Sequence, residues 1–454
     1  MLTLAIDLGS TNIKAAVIDP TSQAILAQKR LPTQYLPSRG PFFCEVDPYR
    51  LFTQVETLLA NFLSQFPEVG SLRLSTQMHG FLFATPEGRP LTPYISWRDN
   101  RCLRVCHGIS DLDLLRQRLT PKHLKPTGVP LKAGLAMCNA FSLLRQADDP
   151  IPSGSLFCTL GSYVLLRLGG RNITHITNAA ATGFVNLLEQ NWSSALLSEA
   201  GFQNFSFPKI EIEVRPCGML SFQGRPIILY PDIGDQQAAV LGSLSLPSEE
   251  VNVNLATAGQ LACVYERFLP GPYEIRPYFG GRYLNTVTRI PAGRNLDLLL
   301  QFIQQLGRTV FHQEKSIPEI CQQLSAGIPN CHETPLDLDL NFFPDMLEGQ
   351  SGSIRQITAN NFTPENLLLC AYQSIARTYQ RHLQAFSSFI TPKQLVFSGG
   401  VARNHPFLLR EIIQATHLPG HLSPFQDEVL MGHCKLAMKA AGLLPSVEAT
   451  NSNL

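Results

Sequence analysis

The stretch LTLAIDLGSTNIKAAVID, Leu2 to Asp19, decides the fold. Two apolar runs flank a polar tip that carries Gly9. This pattern predicts strand, tight turn, strand. LAQKRLPTQ continues as a candidate third strand. From Pro48 to Phe66, the residues Leu51, Val55, Leu58, Leu59, Phe62 and Leu63 recur at helical spacing. Asp47 stands where an N-cap belongs, with Pro48 at the first helical position. Leu72 to Ser75 is then a short strand running into QMHG. The order is that of an α/β fold.

A weaker copy of the opening hairpin lies midway. VNVNLATAGQLACVYE, Val251 to Glu266, again places a small-residue tip between two alternating apolar runs. Two copies predict two related lobes that meet somewhere between Gly242 and Ser248. The expected division is 1–243 and 244–454, with ligand sites in the cleft between. Beyond it, the pattern predicts a helix over Pro364 to Phe386, a strand over Gln394 to Phe397 and the turn SGGVARN.

Composition excludes several classes. In the 454 residues, 36 Lys and Arg nearly balance 35 Asp and Glu. A net charge of +1 offers no footprint for nucleic acid or an anionic membrane. Hydrophobic residues at 44% and charged residues at 16% exclude a disordered chain. No apolar run approaches the ~20 residues of a membrane helix. The start MLTLAID meets a charge too early to read as a signal peptide. The 11 cysteines are scattered and odd in number, which predicts reduced thiols and a cytoplasmic setting. Cys102, Cys106 and His107 cluster without a matching group for zinc and are expected to be incidental.

Five segments could carry chemistry. Gly9, Ser10 and Thr11, with Lys14 nearby, form a tip suited to phosphate oxygens. Asp7 could hold magnesium through water, although every residue there also suits an ordinary turn. Thr257 and Gly259 form the twin tip. Gly399 and Gly400 follow an apolar strand, and Asn404 could cap the next helix. Asp235, at a loop–helix junction, could take a proton from a hydroxyl or simply cap its helix. Gln77 and His79, with Trp97 and Asp99, are polar groups suited to a polyol.

In this order, the segments resemble the FGGY family of carbohydrate kinases. The likeness runs from Ala5 to about Gly432. DLGSTNIK looks like the first phosphate loop and CEVDP like the acidic helix entry. QMHG and SWRDNRC are similar to sugar-site segments, GDQQAAV to the segment with the catalytic Asp, and SGGVARN to the adenosine loop. PDMLEG, Pro344 to Gly349, fits the segment before the long C-terminal helix. Within the family, the sedoheptulose-phosphorylating branch is the most similar, through Asn254, Thr257, Gln260, Leu261 and Ala262. Most members keep glycine and serine where this chain has Ala256 and Ala258. In the late helix, Glu428 and Gly432 fit but their neighbours are bulkier.

The resemblance implies a two-lobed, actin-like ATPase (ribonuclease H-like) fold with a central cleft. It implies transfer of the γ-phosphoryl group of Mg-ATP to a terminal ketose hydroxyl. Sedoheptulose is the first expectation, and D-xylulose or another ketose the alternative. Asp235 would be the base and Asp7 the residue facing Mg2+. Gly9, Ser10, Thr11, Lys14, Thr257 and Gly259 would hold phosphates, and Gly399, Gly400 and Asn404 would flank the adenosine. Gln77, His79, Trp97, Asp99 and Gln236 would read the sugar. Partners are expected to be ATP and the ketose alone, with the chain a monomer or homodimer. A silent sugar or nucleotide sensor on the same fold is a competing expectation, motivated by Ala256 and Ala258. An actin-like ATPase acting on proteins is another, but it leaves QMHG and WRDNR without a purpose.

Overall fold

The computed structural model describes residues 1–146, 150–330, 335–340, 342 and 352–447. PDMLEG, Pro344 to Gly349, lies outside them. The opening hairpin is β1 (Leu2–Leu8) and β2 (Asn12–Asp19), paired antiparallel, with β3 (Ala24–Pro32) on the far side of β2. Strand β4 (Val69–Thr76) runs parallel to β1 on its other side. Strands β5 (Gly218–Phe222), β6 (Arg225–Leu229) and β7 (Ile233–Gly234) complete a seven-stranded sheet. Alternation along β1 sends Leu4, Ile6 and Leu8 into a core with α1 (Pro48–Gln65) and α2 (Leu160–Gly169), and the short α3 (Ile176–Ala181) follows. Asp47 caps α1 as the sequence predicts, accepting from the amides of Tyr49 and Arg50.

The second hairpin is β8 (Glu250–Leu255) and β9 (Gly259–Tyr265), again antiparallel. With β10 (Glu274–Pro277), β11 (Tyr283–Ile290), β12 (Gln394–Ser398) and β13 (Gly420–Leu422) it forms a six-stranded sheet. As in the first sheet, the hairpin's leading strand has a parallel neighbour, β12. Val251, Val253 and Leu255 pack on α5 (Gly293–Val310) and α6 (Pro364–Leu383).

Two helices lie between the sheets. They are α4 (Asp235–Ser243) and, past α7 (Gly400–Asn404) and α8 (Pro406–Thr416), α9 (Glu428–Ala440). Ala238 and Leu241 of α4 meet Ala262 and Val264 of the second sheet. Leu430, Met431 and Cys434 of α9 meet Ala5 and Ala16 of the first. The helices touch through glycine. A Cβ on Gly242 would stand 1.8 Å from the Glu428 carbonyl oxygen, and one on Gly432 would stand 2.1 Å from that of Ala238. Buried Lys435 donates to the carbonyls of Leu241 and Leu244 at the end of α4, at 2.8 and 2.7 Å.

One expectation fails here. Asn404 does not cap the following helix. It ends α7, and α8 starts from His405 with Pro406 at its first position and no side-chain cap. Proline supplies the fixed φ and lacks the amide that a cap would satisfy.

Because the obstructing atoms at Gly242 are backbone, Gly242→Ala should lower stability by about 1–3 kcal/mol or more. Thermal unfolding of the variant checks this, and an unchanged midpoint contradicts the close crossing.

Candidate active site

Topology gathers the candidate residues. Strands β1, β4 and β7 are mutually parallel through β4, so their carboxyl ends share one edge of the sheet. Ligands in open α/β sheets bind beyond that edge. There β1 delivers Asp7 and the tip Gly9–Thr11, β4 delivers Gln77 and His79, and β7 delivers Asp235 as the first residue of α4. Gly234 is the N-cap residue, so Asp235 is not the cap. In the second sheet, parallel β8 and β12 likewise end at Ala256–Ala258 and at Gly399–Gly400.

The first tip is held from behind. The Gly9 amide bonds the Asn12 carbonyl at 3.1 Å, and the hydroxyls of Thr33 and Tyr35 bond the carbonyls of Gly9 and Ser10, both at 2.8 Å. Ser10 and Thr11 stay accessible. Lys14 stands between two carboxylates, 3.8 Å from Asp7 and 2.8 Å from Asp427. Asp427 caps α9 through the Leu430 amide. In the second tip Thr257 is exposed. The carbonyls of Ala256 and Thr257 accept from the Gly293 and Arg294 amides at the start of α5. Gly259 begins β9 beneath Tyr379, whose hydroxyl would lie 1.7 Å from an added Cβ. Gly399 has φ +90° and abuts the Leu255 carbonyl, while Gly400 faces open space. Asn404 is exposed on α7.

Past the end of β4, Gln77 is 3% exposed, and neither its side-chain oxygen nor its side-chain nitrogen has a protein partner. An unsatisfied buried amide is costly, and a polyol could satisfy both its ends. His79 sits at φ +67° with Nδ1 2.6 Å from the Ala181 carbonyl oxygen. Burial, with the charges of Arg276 and Lys132 nearby, pushes its pKa down to about 3. Neutral His79 must then donate from Nδ1, which leaves Nε2 as an acceptor. Nε2 therefore suits a hydroxyl. Trp97 is 45% exposed and free to cover an apolar sugar face.

Two predicted sugar readers are placed otherwise. Asp99 is fully buried, its oxygens occupied by the Cys44 amide and the Arg101 backbone and guanidinium. Glu45 completes that ion pair. Asp99 therefore braces the segment before it and does not face the cleft. Gln236 uses its amide nitrogen on Gln260 and Thr286, at 2.9 and 3.0 Å, and its oxygen on Arg276. The sequence reading also missed Arg276, Glu274 and Lys132. Arg276 donates to Glu274 at 2.7 Å, and Lys132 pairs with the same carboxylate. The available signal was Glu274 and Arg276 two residues apart in an otherwise apolar strand, which puts both charges on one face.

Cys102 is buried, and burial pushes its thiol up to about 12. Among the described residues, no group of three or more His, Cys, Asp or Glu is placed to hold a metal ion. A magnesium ion bound with a nucleotide needs only one or two carboxylates beside the phosphates.

Comparison with known proteins decides the family. Residues 2–242 match the N-terminal domain of the FGGY family of carbohydrate kinases. The chain belongs to that family. The kinase is 25% identical to sedoheptulokinase of Mus musculus across 92% of this chain and 93% of that enzyme. Its fold superposes on xylulose kinase from Rhodospirillum rubrum with a TM-score of 0.85 at 17% identity, covering 99% of this chain and 92% of that one. For Plasmodium falciparum glycerol kinase with ADP, the values are 0.82, 16%, 99% and 91%. The fold is thus the two-lobed actin-like ATPase fold, and the kinase is an ATP-dependent carbohydrate kinase. Among the described residues, no helix is long and apolar enough to cross a membrane.

The two cleft carboxylates of the kinase repel each other. Asp235 keeps some access to the cleft, yet burial and then the charge of Asp7 push its pKa up to about 7. Burial raises Asp7 to about 6, against the opposing pull of Lys14 and the Ser75 hydroxyl. A hard cation beside these oxygens would relieve the strain, so the donor set fits magnesium. Folded Asp235 keeps its proton to about pH 7, whereas the ordinary group loses it near 3.8. Folding therefore takes up a proton in that window, and the contribution of Asp235 to stability falls as pH rises through it.

Asp235→Asn should lower kcat at least ~10²-fold. It should also raise the unfolding midpoint, more at pH 8 than at pH 5, because it removes a buried charge that the parent carries only at the higher pH. In the parent, kcat/KM for sugar should fall as the pH drops below about 7. A pH-rate profile together with thermal unfolding at both pH values checks each part.

Proposed function

We propose that this kinase transfers the γ-phosphoryl group of ATP to the terminal hydroxyl of a ketose, with sedoheptulose as the substrate. The observation that carries the reading is Asp235, its pKa raised into the working range of a general base, at the same sheet edge as the unpartnered amide of Gln77. The near full-length likeness to sedoheptulokinase supports the choice of sugar. So does the run Asn254, Thr257, Gln260, Leu261 and Ala262.

Asp235 would accept the hydroxyl proton as the oxygen attacks phosphorus. Gln77 and His79 would hold the sugar by donor and acceptor contacts, and Trp97 would cover it. Gly9, Ser10, Thr11, Thr257 and Gly259 would hold the phosphates, and Gly399, Gly400 and Asn404 would flank the adenosine. Asp7 would hold magnesium, with Lys14 fixing its carboxylate. The ion, when bound, would neutralise phosphate charge. The lobes would be 1–243 and 244–454, closing on substrate to exclude water. Free cysteines such as Cys102, Cys138 and Cys263 fit work in a reducing cytoplasm.

An ADP-release assay with Mg-ATP across sedoheptulose, D-xylulose, D-ribulose, L-ribulose, D-fructose, glycerol and no sugar tests the reading. Release with sedoheptulose above the rest is expected. Preference for D-xylulose would retain the mechanism and replace the substrate. Silence on every sugar with ATP still bound would favour a sensor. In the active case, His79→Ala should raise the sugar KM about 2- to 12-fold, the equivalent of one hydrogen bond of roughly 0.5–1.5 kcal/mol. An unchanged KM would remove His79 from the pocket.

A further inference from the structure

Gln236 follows the base directly, on the first turn of α4. Its own amide donates to the Asp235 carboxylate at 2.8 Å. Every hydrogen bond of its side chain runs to the second sheet. Gln260 lies on β9, Thr286 on β11 and Arg276 on β10. Two of these partners are themselves anchored. The Thr286 hydroxyl donates to the Leu261 carbonyl at 3.0 Å. Arg276 is 6% exposed and paired with Glu274, which is 2% exposed. Glu274 in turn meets Lys132, from a segment that lies beside Trp97 through Gly134. Burial raises the Glu274 carboxyl, but the charges of Arg276 and Lys132 outweigh it and hold the group ionised.

The position of Gln260 gives this chain of contacts its meaning. It is three residues beyond Thr257, at the start of the strand that leaves the second tip. Gln236 therefore joins the backbone carrying the base to the strand carrying a phosphate loop. In-line transfer requires base, acceptor oxygen and phosphorus to be set within a fraction of an ångström. A carboxamide held at both ends by buried partners can fix that setting. The same engagement uses both N–H donors of its amide, which leaves none to donate to a sugar hydroxyl.

We propose that Gln236 and its anchor Arg276 form a latch that sets the base-bearing helix against the phosphate-loop strand, acting as positioning residues without contacting the sugar. The proposal rests on the reading of Asp235 as the base. A double-mutant cycle tests it, with Gln236→Met, Arg276→Gln and the double variant, and with Gln236→Glu as the conservative change. Each single loss should lower kcat at least ~10-fold while the sugar KM stays within about 3-fold, since the lost interaction acts on the reacting geometry. The double variant should be no worse than the poorer single one, because both break the same unit. Gln236→Glu keeps an acceptor for Arg276 and should retain more kcat than Gln236→Met.

A raised sugar KM with kcat unchanged in Gln236→Met would make Gln236 a sugar contact and overturn the latch. Additive losses would overturn it as well. Unfolding midpoints of the same four proteins give a reading independent of turnover. Non-additive midpoints support the contact, and additive ones reject it. If the parent phosphorylates no sugar, the reading of Asp235 as the base fails, while the unfolding cycle still decides whether Gln236 and Arg276 are coupled.

Discussion

The glycine crossing between α4 and α9 is the constraint on which the other arrangements depend. Gly242 and Gly432 each let the other helix's backbone come closer than any side chain allows. The helices can therefore sit as one thin layer against both sheets. Small residues on the facing strands, Ala5, Ala16 and Ala262, belong to the same economy of space. What this layer carries is chemical as well as structural. Helix α4 begins with Asp235, and α9 is capped by Asp427, the partner of Lys14. Lys14 is also the cation nearest Asp7 among the described ion pairs. Packing two helices together thus sets the charge balance at the sheet edge.

That edge gathers three groups whose needs the fold leaves unmet. Gln77 is buried with both polar atoms unpartnered. Asp7 and Asp235 are desolvated and mutually repelling. Several other buried charges are matched, as with Arg101 between Asp99 and Glu45, or Glu274 between Arg276 and Lys132. Unmatched groups lower stability. Concentrated where two tips and three strand ends meet, they are better understood as groups awaiting a ligand. Raising the Asp235 pKa destabilises the fold near neutral pH and, in the same step, makes its carboxylate a stronger base.

Local features were legible in the sequence, and distant pairings were not. Both hairpins follow from alternation and small polar tips. The start of α1 follows from Asp47 and Pro48. The convergence of Asp7, Gln77 and Asp235 follows once the strand order is known. Asp99 is the contrary case. Its neighbours suggested a polar cluster on a cleft, but its partners include Cys44, which is 55 residues away. Gln236 follows the same pattern, since its partner Arg276 is 40 residues further on. A polar side chain announces that it needs a partner, not whether the partner is a ligand or another strand. Asn404 failed through a purely local competitor, the proline that already starts the helix.

The altered second tip shows how backbone can replace side chains. Ala256 and Ala258 remove a glycine and a hydroxyl from the usual pattern, which would matter if those positions needed special φ. They do not, since neither alanine has positive φ. The positive φ falls on Gly399 instead, which presses against the Leu255 carbonyl just before the tip. The carbonyls of Ala256 and Thr257 are tied to the first amides of α5, which would otherwise lack partners. The tip is therefore shaped by its neighbours and not by its own residues. A loop whose shape is imposed from outside can lose a glycine without losing its fold. On the proposed reading, the missing hydroxyl removes one phosphate donor, which would leave Thr257 and the backbone amides to do the holding.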